Sequence, residues 1–283
     1  VIMSKEIDIA KNVLTACMGM KKDEKLLILT DEGKTDVARP FVTAGRELGF
    51  DTVLIEGMIQ EGGEPQALLA SALLEADVSI MLTSGSFTHT YARGHANEKG
   101  ARIASMPRIS RQVILDTLDV DMDELIRCTE TSAAKLDGAK EIRLTTKLGT
   151  DLTVYADGRK GISDSGKLTT PGICGNLPAG EAEISPLEDR GDGVVFVDGV
   201  IAGVGLMEEP LKLVFQNGKI VEVDGKKAEA FNAYTAKFDA NATKLCEFGI
   251  GTNKACTITG NPLCDEKVFG TAHIGLGNNM FMM

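Results

Sequence analysis

Two glutamates and one histidine in the second half of the sequence have neighbours that favour a metal site. Glu181 follows a Pro-Ala-Gly turn, and a rigid turn of this kind can hold a carboxylate in a fixed geometry. Glu247 lies among apolar residues of a strand-like run, where a carboxylate is desolvated unless it is paired or bound to a metal. His273 lies on a glycine-rich strand that a ligand can approach closely. Together these residue types predict a site for a divalent cation.

A second group of polar residues lies in the first half of the sequence. His89 lies in a loop just after a predicted strand, and open parallel sheets bind ligands beyond the carboxyl ends of their strands. Arg93 lies one helical turn further on. We therefore expect His89 and Arg93 to contact a substrate, although His89 could instead satisfy carbonyl groups of its own loop. His95 is expected to be a solvent-exposed helix residue.

The first half of the sequence alternates short apolar runs with helical patterns. Such alternation predicts right-handed βαβ units on a parallel sheet. The predicted strands are residues 25–30, 52–56, 77–82 and 101–105. The predicted helices are residues 4–19, 35–48, 65–74, 92–99 and most of 110–136.

The character of the sequence changes near residue 140. Residues 1–140 contain 11 glycines and the remaining residues contain 20, which indicates more turns in the second half. Two hairpins are expected there, one around Gly149 and one around the strong turn signal Asn217-Gly218. The predicted fold is α/β, with an N-terminal parallel-sheet domain (residues 1–139) and a C-terminal β-rich α+β domain (residues 140–283) that carries the metal site.

Composition and charge exclude several classes of protein. Arg and Lys number 30 and Asp and Glu number 41, a net charge of −11 with no basic stripe, so nucleic-acid or anionic-membrane binding has little electrostatic support. No apolar run approaches the roughly 18 residues that a membrane-spanning helix needs, and no signal peptide is recognised. The six cysteines are scattered without a Cys-x-x-Cys pair, so we expect reduced, buried thiols and a cytoplasmic protein.

Three motifs in the second half carry a family resemblance. They are NLPAGEAEISP at residues 176–186, EFGIGTN at 247–253 and DEKVFGTAHIGLG at 265–277. In order and spacing they resemble the metallo-aminopeptidase family of aminopeptidase T and aminopeptidase S. The resemblance implies a homodimer and a divalent metal centre (zinc, cobalt or manganese) whose ligands include Glu181, Glu247 and His273.

The sequence departs from that family at two places. The aminopeptidases have a catalytic tyrosine seven residues after the histidine, where this sequence has Met280. They also have a further His-x-Asp ligand pair downstream, which does not follow here, so we expect either a longer chain or an incomplete ligand set. A related branch, similar to 2,5-dihydroxypyridine dioxygenase, uses one Fe(II) and opens an aromatic ring with O₂. The N-terminal half resembles that branch, in which His89 would be the acid–base residue.

Three functions follow as expectations, each with a cleft between the two domains. The first is a metal-dependent aminopeptidase-like hydrolase, in which one or two metal ions activate water and polarise the carbonyl of a small peptide. The second is a mononuclear Fe(II) dioxygenase that cleaves a small dihydroxypyridine-type ring. The third is a metal-poor binding paralogue without catalysis. No particular catalytic residue is assigned.

Overall fold

The computed structural model describes residues 2–58, 63–88 and 90–279. The chain divides into two compact units. The first unit comprises Val1–Ile126 and Gly166–Ala179, and the second comprises Arg127–Ser165 and Gly180–Met283. The chain therefore passes from one unit to the other three times, whereas the sequence predicts a single boundary, between residues 139 and 140. A short return to the first unit, with no hydrophobic period of its own, gives no sequence signal.

Eight α-helices and sixteen strands are formed by the described residues. The helices are α1 (Ile2–Asn12, continued by a π-helical turn, Val13–Cys17), α2 (Thr35–Glu47), α3 (Ala67–Glu75), α4 (Tyr91–Glu98), α5 (Arg111–Thr117), α6 (Met122–Leu136), α7 (Ala228–Thr235) and α8 (Pro262–Asp265). The strands of the first unit are β1 (Lys25–Thr30), β2 (Asp51–Glu56), β3 (Val78–Thr83), β4 (Arg102–Pro107) and β8 (Cys174–Asn176). Among the helices of residues 2–58, 63–88 and 90–279, none is both long and apolar enough to cross a membrane.

The strands of the second unit form three antiparallel sheets. They are β5 (Glu141–Thr145), β6 (Asp151–Tyr155), β7 (Gly161–Asp164), β9 (Glu181–Ile184), β10 (Asp192–Val197), β11 (Val200–Ile201), β12 (Gly205–Leu206), β13 (Leu211–Gln216), β14 (Lys219–Asp224), β15 (Leu245–Gly251) and β16 (Ala272–Leu276). The strand orders are β14-β13-β10-β6-β5, β11-β12 and β16-β15-β9-β7. Both predicted hairpins are present, as β5–β6 and β13–β14.

The sheet of the first unit is parallel throughout, in the order β2-β1-β3-β4-β8. Strand β1 shows why its sequence, KLLILT, is apolar at almost every position. Leu26 and Ile28 face the core formed with α1 and α2, while Leu27 and Leu29 face a second core formed with α3 and α4. A strand covered by helices on both faces loses the alternation of a half-buried strand. The predicted α/β fold class is confirmed.

A buried ion pair ties β4 to the segment before β1. The guanidinium of Arg102, which is 4% exposed, donates two hydrogen bonds to the Glu24 carboxylate, at 2.9 and 2.6 Å. Its Nε also donates to the carbonyl of Met18 at 2.9 Å. The hydrogen bonds from Arg102 lower the pKa of Glu24. The folded state therefore favours the ionised carboxylate.

We expect Glu24→Gln to lower the free energy of unfolding by about 3 kcal/mol, because it leaves a buried guanidinium without its counter-charge. The lowered pKa gives this contribution a pH dependence. It is complete above the unfolded-state pKa of about 4.3 and is lost as the pH falls through the lower folded-state value. Urea unfolding at pH 7 and at acidic pH measures both effects. The control is Asp151→Asn, which breaks the exposed Arg143–Asp151 pair and should leave stability unchanged; equal losses in the two variants would refute the assignment.

All six cysteines are free, as predicted. Burial raises the pKa of Cys17 and Cys256 to about 12 and that of Cys246 and Cys264 to about 11. Because the thiolate is the reactive form, these four thiols should resist alkylation in the folded protein.

Titration with a chromogenic disulfide at pH 8 tests this expectation. At most the two half-buried thiols, Cys128 and Cys174, should react before unfolding, and all six should react in guanidinium. Rapid reaction of three or more thiols in the native state would show that the buried cysteines are accessible.

Candidate metal centre

The three predicted ligands lie on neighbouring strands of one sheet. Glu181 begins β9, Glu247 lies on β15, and His273 lies on β16. Strand β15 pairs with both of the others. Since side chains alternate between the two faces of a strand, the apolar residues between the ligands fill the core on the opposite face; they are Ala182, Ile184, Phe248, Ile250, Ile274 and Leu276.

The polar atoms of the three side chains converge. Nε2 of His273 lies 2.9 Å from Oε1 of Glu247 and 3.4 Å from Oε2 of Glu181. Each of the three residues offers one possible ligand atom, and these three atoms all lie within 4.8 Å of one another. With metal–ligand bonds of about 2.0–2.2 Å, ligand atoms at right angles stand roughly 3 Å apart. The observed spacing therefore suits three ligands of a single ion after small adjustments.

Two glycines create the room for this cluster. A Cβ at Gly249 would lie 2.0 Å from Nε2 of His273, so the imidazole lies directly over a backbone position that only glycine leaves free. A Cβ at Gly275 would lie 2.6 Å from Cβ of Glu247. Each glycine is paired across the sheet with the residue that it accommodates. The GIG and HIGL strings are thus part of the site.

Two polar atoms of the cluster have no hydrogen-bond partner among the described residues. They are Oε2 of Glu181 and Nδ1 of His273, and both are buried. A buried carboxylate oxygen without a donor is costly. A cation bound between Glu181 and His273 would satisfy the oxygen, so the residues present fit a divalent metal.

A fully buried lysine lies beside the cluster. Nζ of Lys267 donates to Oε1 of Glu181 at 2.8 Å and to Oε1 of Glu266 at 2.6 Å, and lies 3.9 Å from Oδ2 of Asp164. Burial opposes the charge of this ammonium, but the carboxylates outweigh that effect and raise the pKa of Lys267. The ammonium therefore remains a fixed positive charge in the site.

Carboxyl groups outnumber basic groups on this face. Glu183 shares the outward face of β9 with Glu181, and burial together with the charges of Glu247 and Glu181 raises its pKa to about 8. Burial likewise raises the pKa of Asp164 to about 7, although Lys267 opposes the shift. Burial lowers the pKa of His273, but its hydrogen bond to Glu247 and the surrounding carboxylates outweigh this and raise it. The site is electrostatically suited to an added cation.

Several of these residues were missed by the sequence analysis. The alternation in EAEI places Glu183 on the same face as Glu181, and this period-two pattern could have revealed it. Lys267 and Glu266 belong to the quoted DEK string, but sequence alone does not show that a lysine is buried against Glu181. Asp164 ends β7, which was not predicted.

Of the two residues predicted to contact a substrate, the structure describes only Arg93. His89 and Met280 lie outside the described residues. Arg93 is engaged within the first unit, where Nε donates to the carbonyl of Thr88 at 2.7 Å and a terminal nitrogen donates to Oδ1 of Asn97 at 3.0 Å. A substrate role for His89 and Arg93 therefore stays a prediction. His95 is exposed, as expected.

The types of the three possible ligands limit the choice of metal. Two carboxylates and one imidazole suit divalent manganese, iron, cobalt or zinc. Many non-haem Fe(II) oxygenases use the converse set of two histidines and one carboxylate. The fold and the site together define the class of protein. It is an α/β protein whose second, antiparallel unit carries a cluster of carboxylates and a histidine.

The chain belongs to the NicX family, described as 2,5-dihydroxypyridine 5,6-dioxygenase, whose family model matches residues 5–281. The curated protein sequences compared with the chain gave no match.

Two solved structures share the fold. The 2,5-dihydroxypyridine dioxygenase of Pseudomonas putida KT2440 is 17% identical, with a TM-score of 0.83 over 100% of this chain and 88% of that chain. Wild-type AmpT of Thermus thermophilus is also 17% identical, with a TM-score of 0.69 over 99% of this chain and 87% of that chain. Because the matching family model is that of the dioxygenase, the dioxygenase branch is better supported than the aminopeptidase branch.

Proposed function

We propose that this protein is a metal-dependent dioxygenase that opens a dihydroxypyridine-type ring with O₂, with Fe(II) bound by Glu181, Glu247 and His273. The observation that carries the proposal is the convergence of these three side chains in a chain of the NicX family. The higher structural similarity to a dihydroxypyridine dioxygenase than to AmpT supports the same reaction.

The residues of the site have distinct tasks in this proposal. Glu181 and Glu247 supply two negative charges that match a divalent ion, and His273 supplies a neutral nitrogen. Bound iron supplies the redox chemistry that O₂ activation requires. Gly249 and Gly275 keep the face of the sheet open, since side chains there would fill the space beside His273 and Glu247.

The reaction consumes one O₂ for each ring. The bond between ring carbons 5 and 6 breaks, and both oxygen atoms enter the ring-opened product, so no external reductant is needed. The substrate's hydroxyl groups must lose protons as the ring opens, and these protons need an acceptor. His89 is the residue proposed for this task, on the basis of the family resemblance.

Oxygen consumption tests the proposal directly. Protein loaded anaerobically with Fe(II) and mixed with 2,5-dihydroxypyridine should consume one O₂ per ring and lose the absorbance of the aromatic ring. The matched control is the same protein loaded with Zn²⁺, which has no redox chemistry and should consume none. Full iron occupancy without oxygen uptake, for this ring and its isomers, would refute the dioxygenase function.

The ligand types are equally compatible with a second candidate function, metal-dependent peptide hydrolysis. Two carboxylates with a single imidazole resemble the ligands of hydrolytic metal centres as closely as those of Fe(II) oxygenases. Under the aminopeptidase hypothesis, protein loaded with zinc, cobalt or manganese should release the chromophore from an aminoacyl amide, and a chelator should stop the release. Hydrolysis without oxygen uptake would select this function over the first.

A further inference from the structure

Lys267 is the only fully buried lysine among the described residues, and its ammonium is surrounded by carboxylates. Its side chain is 0% exposed, and its nearest charged atoms are Oε1 of Glu266 at 2.6 Å and Oε1 of Glu181 at 2.8 Å. Burying an ammonium is costly unless it is paired and hydrogen bonded. Such a group is therefore either a structural pair or part of the adjacent site.

The backbone that carries Lys267 is fixed by local hydrogen bonds. Its N–H donates to the carbonyl of Cys264 at 3.0 Å, and its carbonyl accepts from the N–H of Asn253 at 2.9 Å. The preceding turn is held by the buried Asp265 carboxylate, which accepts the N–H groups of Thr259 and Gly260, both at 2.7 Å. With the backbone fixed and the side chain buried, the hydrogen bonds of Nζ to Glu181 and Glu266 hold the ammonium in place.

The two carboxylate oxygens of Glu181 have different contacts. Oε1 accepts the hydrogen bond from Lys267, while Oε2 lies 3.4 Å from Nε2 of His273 and has no hydrogen-bond donor among the described residues. A carboxylate held at one oxygen by a rigid donor cannot rotate freely. Its second oxygen is therefore presented towards the cluster.

We propose that Lys267 is a positioning residue that holds Oε1 of Glu181, so that Oε2 is presented as a metal ligand. The inference rests on the metal site of the proposed function, but on neither reaction in particular. Loss of the ammonium should let Glu181 turn away from the cluster and leave three carboxylates (Asp164, Glu181 and Glu266) without their shared counter-charge. Groups that orient metal ligands typically contribute about 10–100-fold to metal affinity.

Co²⁺ titration of the full chain, monitored by visible absorption, tests the inference. Lys267→Met should weaken Co²⁺ binding about 10–100-fold. At saturating Co²⁺, its absorption spectrum should shift from that of the wild type towards that of Glu181→Gln, because Glu181 is no longer held in place as a ligand. The control is Lys212→Met, which removes a lysine paired with Glu222 on another sheet and should bind as the wild type does.

A second, charge-matched variant separates a loss of metal binding from a failure to fold. Lys267→Met combined with Asp164→Asn removes one positive and one negative group, and is compared with Asp164→Asn alone. Weaker Co²⁺ binding in the double variant, with the same circular dichroism spectrum, supports the inference. Wild-type affinity and spectrum in a folded Lys267 variant would overturn it while leaving the metal site intact. Absence of Co²⁺ binding by the wild-type protein would instead overturn the metal site, and the proposed function with it.

Discussion

Replacement of Glu247 with alanine should abolish both metal binding and turnover. The substitution removes one of three converging ligands and also the hydrogen-bond partner of His273 at 2.9 Å. Loss of a direct ligand should exceed the effect of losing an orienting group, so we expect metal affinity to fall by more than about 100-fold. Metal content after gel filtration and turnover under saturating substrate measure the two effects.

Glu222 provides the matched control for this experiment. It lies on β14 and pairs with Lys212, so Glu222→Ala removes a carboxylate of the second unit outside the cluster. That variant should retain metal and turnover. Normal turnover at full metal occupancy in Glu247→Ala would eliminate Glu247 as a ligand.

Replacement of Gly249 with alanine should disable the site without removing a ligand. The new Cβ would lie 2.0 Å from Nε2 of His273, closer than any non-bonded contact allows, so the imidazole must move. Displacement of a functional group by about 1 Å can cost about 100-fold in turnover. We expect a loss of this size, together with weaker metal binding, measured by steady-state kinetics and metal titration.

Gly199→Ala controls for the loss of a glycine in the same unit. A Cβ there would meet only Cδ1 of Ile258, at 3.8 Å, which is an ordinary contact. This variant should match the wild type in metal affinity and turnover. If Gly249→Ala also kept wild-type affinity and rate, the position of the His273 ring over this glycine would be wrong.

The architecture of the first unit could be predicted because its signals are local. The apolar runs at β1, β2, β3 and β4 and the helical patterns between them require only βαβ geometry to become a parallel sheet. The fifth strand, β8, could not be predicted, because three residues around Gly175 carry no period and join the sheet from far along the chain. The break between α5 and α6 was also missed within a region predicted as mostly helical.

The three residues that converge in the candidate site could be predicted from residue type, but the residues around them could not. A glutamate in an apolar strand and a histidine among glycines are unusual locally, so Glu247 and His273 were found in the sequence. Lys267 is unusual only once it is buried against Glu181, and that burial depends on the fold of the second unit.

The homodimer that the family resemblance implies stays a prediction.

The three motifs and the chain as a whole resemble different enzymes. The motifs around Glu181, Glu247 and His273 resemble aminopeptidases, whereas the family match spans residues 5–281 and favours the dioxygenase. The motifs describe metal ligands, and a ligand set can serve either hydrolysis or oxygen chemistry. The ligand set by itself therefore does not distinguish the two reactions.

Anomalous diffraction tests the central claim most directly. Crystals grown anaerobically with Fe(II), measured on both sides of the iron absorption edge, should show one peak about 2.0–2.3 Å from oxygens of Glu181 and Glu247 and a nitrogen of His273. The same peak should be absent in crystals of Glu247→Ala. An iron peak bound by other residues, or no peak at full iron saturation, would contradict the account of this site.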